Sequence, residues 1–282
     1  MNPPHKKIRD YRDVIDRLEK ISRRHKLTLT PIGDAAGYGH FLMTSRNGKP
    51  AARPIYLSAG THGDEPAAVE GLLQWLERGE WRARNLNLFI LPCINPWGYE
   101  HNRRENRDGV DINRQFRLGS CPEAQLVMRA VRGRRFDLAV ELHEDVDSPG
   151  FYIYELKAEP PFFGEVIVRV VSKHGPVNRA RVIEGMKSKI GVIRPSNFTS
   201  RMLRRKKWPL AFFLYTYHTP HKLTFETPGP RPFEVRVAQQ IAALDAVTQK
   251  FPKLEGRALS RLPLRGTVTT ERDPPTRSAS IF

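Results

Sequence analysis

The chain has 282 residues, of which 39% are hydrophobic, and its formal net charge at pH 7 is +17. This length allows one large α/β domain or two small ones, and two cysteines are too few for a disulfide framework. We find no secretory signal pattern and no run of about 18 apolar residues, so we expect a cytoplasmic protein without a membrane partner.

The first half of the chain alternates helix and strand patterns. Apolar residues at helical spacing predict a helix from Tyr11 to His25. From Gly33 to Ser58, short apolar runs alternate with glycine and proline, which is typical of strands and turns, and residues 54–60 have the pattern of a buried strand that runs into a loop. Pro66 suits the first turn of a helix, and residues 86–91 predict a second buried strand.

The second half continues this alternation. In chain order, a helix, two strands and a helix are predicted at Glu123–Arg132, Phe136–Leu142, Leu223–Phe225 and 235–247. The alternation predicts an α/β fold with three layers (α/β/α), in which helices flank a mostly parallel mixed β-sheet. We expect residues 1–255 to form a single domain and residues 256–282, rich in Arg, Pro, Ser and Thr, to form a flexible basic tail.

Three polar residues stand at the ends of predicted strands, where open α/β sheets bind ligands. His62 and Glu65 are three residues apart on a loop that leads into a helix, and His143 closes a buried strand. An imidazole and a carboxylate at this spacing can reach one ion, and a distant third ligand is typical of catalytic zinc sites. Taken alone, the first two residues could equally form a surface ion pair, and His143 could be a core histidine bonded to backbone.

Six short segments occur in the order found in a known family. They are His62–Glu65 (HGDE), Asn95–Tyr99 (NPWGY), Arg104–Arg107 (RENR), Gly109–Arg114 (GVDINR), His143 and Thr224–Glu226 (TFE). On these segments the chain resembles the zinc carboxypeptidase family of metallopeptidases, especially its compact bacterial branch, which is related to the succinylglutamate desuccinylase and aspartoacylase enzymes. The likeness extends from about Tyr11 to Lys250.

The resemblance implies a metal centre and its catalytic base. It implies that His62, Glu65 and His143 hold one zinc ion per chain and that Glu226 is the general base, which later passes the proton to the leaving amine. Asp111 matches a carboxylate that accepts a hydrogen bond from the outer ring nitrogen of the first histidine. Without the resemblance, Glu226 and Asp111 would be ordinary solvated acids.

The resemblance also assigns roles to an arginine-rich loop. Arg107 matches the arginine that stabilises the oxyanion, and Arg104, three residues upstream, is the fallback. Asn113 and Arg114 match the pair that binds the terminal carboxylate of the substrate. In a chain as basic as this one, plain surface charge is the alternative for the whole loop.

Three functions follow as hypotheses. The first is a zinc-dependent metallocarboxypeptidase, and the second is a zinc-dependent N-acyl amino acid deacylase of the aspartoacylase type, so the expected partner is a peptide or acyl-amino-acid substrate with a free carboxylate. The short stretch after Glu226 favours the first, because the deacylase branch typically carries a further C-terminal β-domain. The third is a non-catalytic protein that binds nucleic acid or acidic partners through basic residues such as the run Arg201–Lys207, although no nucleic-acid-binding motif supports it.

Other histidines and tyrosines near Glu226 are alternative candidates for site residues. His218 and His221 form an HxxH pair, but we expect the metal site to be complete without them. Tyr215 and Tyr217 are too close in sequence to Glu226 to match the substrate-contacting tyrosine of the family. The side-chain specificity and the oligomeric state are not predicted by any pattern.

Overall fold

The computed structural model describes residues 9–45, 53–84, 86–195 and 204–251. The helices are α1 (Tyr11–His25), α2 (Pro66–Arg78), α3 (Pro96–His101), α4 (Pro122–Val131), α5 (Gly164–Val171), α6 (Leu210–Tyr217) and α7 (Phe233–Lys250). The strands are β1 (Leu27–Ala35), β2 (Tyr38–Ser45), β3 (Arg53–Ser58), β4 (Leu86–Leu91), β5 (Leu138–Asp145), β6 (Tyr152–Leu156), β7 (Val182–Ile183), β8 (Met186–Lys189), β9 (Val192–Ile193) and β10 (Lys222–Pro228).

Local signals set the ends of the first two helices. The Asp10 side chain accepts a hydrogen bond from the backbone N–H of Arg12 and caps α1, which ends at Lys26 in the left-handed conformation. Helix α2 begins at Pro66, whose missing N–H costs nothing in a first turn, and it ends at Gly79, also in the left-handed conformation. Helix α1 is thus capped by a side chain at its start, whereas α2 begins at a proline without a side-chain cap.

The strands form one sheet in the order β1-β2-β4-β3-β5-β10-β6-β9-β8-β7. The four central strands, β4, β3, β5 and β10, run parallel. Antiparallel pairs extend the sheet at one edge through β1-β2-β4 and at the other through β10-β6 and β9-β8-β7, while β6 and β9 pair in parallel. The predicted mostly parallel arrangement therefore holds for the centre of the sheet, and short hairpins make its edges antiparallel.

The sheet separates two apolar layers. Leu57, Val140 and Phe225 belong to a buried cluster with α1, α2, α5 and α7 on one face. Tyr56 and Ala139, their neighbours along β3 and β5, belong to a second cluster with α4 and α6 on the other face. Successive residues of a strand point to opposite faces, so the sheet is buried on both sides. The predicted three-layer α/β/α fold is confirmed.

The comparison with the predicted elements is mixed at the level of detail. The helix predicted from Tyr11 to His25 has those bounds, and the helix and strand patterns around Pro66, 86–91, 136–142 and 223–225 all correspond to observed elements. Strands β6 to β9 and helices α3, α5 and α6 were not predicted. The expected tail, 256–282, lies outside the described residues, so the predicted division at residue 255 stays a prediction. No described helix has the length and apolar character needed to cross a membrane.

Candidate metal centre and active site

Three buried side chains converge at the carboxyl ends of the central strands. The Nδ1 atom of His62 lies 2.5 Å from Glu65 Oε1, and the Nδ1 atom of His143 lies 2.7 Å from Glu65 Oε2. The candidate ligand atoms of the three residues lie within 4.8 Å of one another, and each residue is about 3% exposed. Over the ranges that the structure describes, this is the one group of His, Cys, Asp and Glu residues with metal-binding geometry.

The loop after β3 brings the first two of these side chains together. Its Gly63 packs so closely on α3 that an added Cβ would lie 1.9 Å from the backbone carbon of Gly98. Only glycine allows this approach, which presses the loop against α3. Glu65 immediately precedes Pro66 of α2, and its backbone N–H donates a hydrogen bond to the His62 carbonyl in the same loop. His143 comes from the neighbouring part of the sheet, near the end of β5.

A carboxylate holds the outer nitrogen of each imidazole. His62 Nε2 lies 3.3 Å from Asp111 Oδ1, and His143 Nε2 lies 3.3 Å from Glu141 Oε2. These contacts favour a proton on each Nε2, which leaves each Nδ1 with a lone pair directed at the cluster. Two such nitrogens and one carboxylate are the donor types that zinc takes in catalytic sites. The residues present therefore fit a zinc ion.

Electrostatics keep the central acid ionised. Burial alone would raise the pKa of Glu65, but the His62 and His143 imidazoles hold it well below its usual range. Burial works against charge on the histidines as well, yet the nearby Glu65 raises the pKa of both. Without a metal, the cluster therefore attracts protons, and a divalent cation would replace them.

Glu226 lies beside this cluster on the next strand. Strands β10 and β5 are parallel neighbours, and Glu226 is paired with His143 in their register. On its other side Glu226 is paired with Tyr152 of β6. Burial, aided by Glu65 and Asp145, raises the pKa of Glu226 to about 8, although the His143 charge opposes this. A carboxyl group in this position can take up and release a proton near neutral pH.

The structure places Arg104, and not Arg107, next to the candidate ligands. The Arg104 guanidinium lies 3.6 Å from Glu65 and 3.5 Å from Asp111. Arg107 is exposed, and its charge acts on Tyr38. The two arginines are three residues apart in one loop, so the sequence alone did not show which of them lies next to Glu65.

Asn113 and Arg114 follow Asp111 in a short 3-10 turn. The Asp111 side chain accepts the backbone N–H of Asn113 at 2.9 Å, which fixes this turn next to the cluster. Burial would raise the pKa of Asp111, but the His62 hydrogen bond and the nearby arginines, Arg114 among them, lower it to about 2. Asn113 Oδ1 accepts the N–H of Leu210, so the start of α6 lies against the same turn.

The other candidate residues near Glu226 in sequence contact groups outside the His62–Glu65–His143 cluster. His221 Nε2 is bonded to Glu155 at 2.9 Å, and His218 Nδ1 donates to the Arg134 carbonyl. The exposed Tyr217 stacks on Trp208. Of the predicted basic run, residues 201–203 lie outside the described residues, and residues 204–207 are exposed.

Sequence reasoning missed the role of Glu141. This residue lies two positions before His143 on β5, and residues at that spacing on a strand point to the same face. An acid two residues before His143 on a predicted strand could therefore have indicated a hydrogen-bond partner for that histidine. Its contact with His143 parallels the predicted contact of Asp111 with His62.

Comparison with known proteins gives a consistent result. The model of the succinylglutamate desuccinylase/aspartoacylase catalytic domain matches residues 51–153, a segment that contains His62, Glu65, Asp111 and His143. Carboxypeptidase SOL1 of Arabidopsis thaliana is 30% identical over 156 residues, which are 47% of this chain and 31% of that protein. Murein peptide amidase A of Escherichia coli K12 is 37% identical over 71 residues, which are 25% of this chain and 28% of that protein. The matched segments thus span less than a third of each of these two relatives.

A solved structure extends the likeness to most of the chain. A protein of Shewanella denitrificans that has been assigned to the metallopeptidases superimposes with a TM-score of 0.72 and 26% sequence identity, over 84% of this chain and 89% of that one. The resemblance inferred from the sequence is therefore confirmed. The chain is similar to the succinylglutamate desuccinylase/aspartoacylase catalytic domain over residues 51–153, and over most of its length it shares the fold of a protein assigned to the metallopeptidases.

Proposed function

We propose that the protein is a zinc-dependent metallocarboxypeptidase that hydrolyses a C-terminal peptide or peptide-like amide bond. The observation that carries the proposal is the convergence of His62, Glu65 and His143 beside Glu226, which is paired with one of those histidines across two parallel strands. An acid, two imidazoles and a separate carboxyl group at one sheet edge are what metal-assisted hydrolysis requires.

The residues of the chain divide the work of the reaction. When bound, a zinc ion supplies Lewis acidity, which polarises the scissile carbonyl and acidifies the attacking water. Glu226 accepts the proton of that water and then donates it to the leaving amine, so it acts first as a base and then as an acid. Arg104 takes the oxyanion-stabilising role in place of Arg107, because its guanidinium is the one next to Glu65.

Substrate binding is assigned to the turn after Asp111. Arg114 is exposed, and its planar guanidinium group can donate hydrogen bonds to both oxygens of a carboxylate. Asn113 can add a hydrogen bond from its side-chain amide. Both lie in the turn that Asp111 holds next to the cluster. A substrate with a free carboxylate would therefore present its last amide bond to the metal centre and Glu226.

The match to the desuccinylase/aspartoacylase catalytic domain supports a second candidate, an N-acyl amino acid deacylase. Both reactions cleave an amide next to a free carboxylate, and the same residues would carry either one. A panel of peptides with free and amidated C-termini, tested beside N-acyl amino acids, separates the two. Cleavage of acyl amino acids without any release of C-terminal residues would favour the deacylase.

Metal analysis and one substitution test the proposal. Purified protein should contain about one zinc ion per chain. Glu226→Gln should retain the metal and lower kcat by about 10²–10⁴-fold, which is the usual contribution of general acid–base catalysis. Glu234→Gln, which changes an exposed acid in the first turn of α7, is the matched control and should retain activity. Background metal content after zinc is supplied, or full activity of Glu226→Gln, would refute the proposal.

A further inference from the structure

One lysine is fully buried near the candidate metal centre. Lys222 begins β10 and has no exposed surface. Its ammonium group lies 3.1 Å from Glu141 Oε1 and 3.0 Å from Thr224 Oγ1, and it also donates to the Leu223 carbonyl. An ammonium group is strongly hydrated, so its burial is unfavourable unless an opposite charge and hydrogen bonds compensate for the lost water.

The partner of this lysine is also the partner of a candidate metal ligand. Glu141 bridges the two groups, since its Oε1 faces Lys222 and its Oε2 lies 3.3 Å from His143 Nε2. The register of β10 on β5 produces the bridge, because it pairs Thr224 with Glu141 and Glu226 with His143. Lys222, Glu141 and His143 therefore form a continuous row on one face of the sheet.

Charge explains why the row needs a cation. Glu65, Glu141 and Glu226 are three acids around one histidine, and all three lie in or beside a buried region. Arg104 faces Glu65 from the side of the loop that also carries Asp111. Lys222, at the start of the interior strand β10, lies against Glu141 at the opposite end of the row. Without Lys222, the His143 imidazole would be the remaining partner of the buried Glu141 carboxylate, which would be less stabilised.

We propose that Lys222 is a positioning residue for the metal site, which acts through Glu141. It holds the Glu141 carboxylate against His143 Nε2, and this contact keeps the Nδ1 atom of the imidazole directed at Glu65 and His62. The inference rests on the proposed function in one respect, namely that the cluster binds zinc. Loss of an outer partner of this kind typically lowers metal affinity by about 10–100-fold.

A double-mutant cycle separates positioning from a merely structural ion pair. The variants are Lys222→Met, Glu141→Gln and the two combined, and the readouts are the Kd for zinc, from competition with a chromogenic chelator, and the urea unfolding of the metal-free proteins. We expect each single variant to bind zinc about 10–100-fold more weakly. Because Lys222 acts through Glu141, adding Lys222→Met to Glu141→Gln should cause no further loss of affinity.

Stability should follow a different pattern. Lys222→Met leaves the buried Glu141 carboxylate without its lysine counter-charge and should destabilise the metal-free protein, whereas the double variant removes both charges and should regain stability. Zinc affinity should stay low in the double variant although its fold is restored. Recovery of affinity together with stability would show that the pair is structural only and would overturn the inference. If Lys222→Met does not fold, recovery of zinc affinity in the double variant would still overturn the inference.

A control and the wild-type protein separate this inference from the proposed function. Arg194→Met breaks an ion pair to the buried Glu155 on the opposite face of the sheet, and it should lower stability without changing zinc affinity. If the wild-type protein binds no zinc, the proposed function fails. If the wild-type protein binds zinc and folded Lys222→Met binds it equally tightly, the positioning role alone fails.

Discussion

Two buried histidine–carboxylate pairs lie beside β10, on opposite faces of the sheet. On one face His143 Nε2 lies 3.3 Å from Glu141, and on the other His221 Nε2 lies 2.9 Å from Glu155. All four residues are almost fully buried. By burial and by the presence of an acid, either histidine could be a metal ligand.

The two pairs differ in what surrounds them. The carboxylate of Glu155 also accepts the N–H groups of Phe163 and Gly164 at the start of α5 and is paired with Arg194. His143 instead directs its second ring nitrogen at Glu65, which also faces His62. A buried histidine with an acid on one nitrogen is therefore a structural element unless its other nitrogen meets further ligand atoms.

The largest expected effect comes from removing each of the two histidines. His143→Ala should lower zinc content to background and abolish activity, because a direct ligand contributes more than the roughly 10–100-fold that an outer partner contributes. His221→Ala should retain zinc at the wild-type stoichiometry and lose stability, since it leaves the buried Glu155 with one partner fewer. Metal analysis and urea unfolding of both variants measure the two effects.

Equal loss of zinc in both variants would break the comparison. It would mean that the fold around β10, and not the ligand atom, determines metal binding. Zinc retention by His143→Ala would have a more serious consequence, because it would place the metal outside the predicted cluster. Zinc loss in both variants and zinc retention by His143→Ala thus contradict different parts of the comparison, and the pair of variants distinguishes them.

Much of the ligand set could be predicted from the sequence. His62 and Glu65 stand three residues apart after a strand pattern, and the order of the family segments added His143, Asp111 and Glu226. The structure brings all five together. Short-range spacing and strand ends indicated His62, Glu65 and His143, whereas the roles of Asp111 and Glu226 followed only from the family resemblance.

Other features depend on contacts that the sequence does not encode locally. Arg104 and Arg107 occupy the same arginine-rich loop, and the path of the chain alone decides which one faces Glu65. Strands β7 to β9 are two to four residues long and lie at the sheet edge, so they are too short to show a period of two. Lys222 begins an alternating segment that ends at Glu226, but its partner Glu141 lies about 80 residues earlier and is brought close only by strand register.

The apolar face of β10 offers a second test of the comparison, with an effect on stability. Phe225 is fully buried between the two positions Thr224 and Glu226, and its ring packs against Phe151 at a centroid distance of 6.1 Å. Phe225→Ala should lower the free energy of unfolding by about 3–5 kcal/mol. Because its side chain points away from the metal centre, the folded fraction should bind zinc with unchanged stoichiometry.

Urea unfolding and metal content of the folded protein measure this separation between the two faces. Leu118→Ala, at a residue that is 79% exposed, is the control for an apolar truncation outside the core and should change stability little. If Phe225→Ala lost zinc in proportion to stability, the two faces of the strand would not be independent.

The smallest expected effect is a change in the pH dependence of stability. Burial lowers the pKa of His221 below its ordinary value of 6.5, although Glu155 opposes the shift, and the pKa of Glu155 is itself lowered from 4.5. Below about pH 6.5 the unfolded chain therefore binds more protons at residue 221 than the folded chain, so stability falls as the pH decreases. Glu155 stays ionised until the pH falls below the ordinary pKa of a glutamate. Between about pH 7 and pH 5, His221 is therefore the member of the pair whose protonation changes on unfolding.

His221→Gln removes this proton uptake and should flatten the decline. The free energy of unfolding of the metal-free proteins, measured across that window, should fall less steeply in His221→Gln than in the wild-type protein. His174→Gln, which changes an exposed histidine after α5, controls for the loss of an imidazole. Parallel curves for wild-type and His221→Gln would mean that the imidazole of the structural pair is not held neutral by burial. In that case His221 and His143, whose pKa is raised by a neighbouring acid, would differ only in whether the second ring nitrogen meets further ligand atoms.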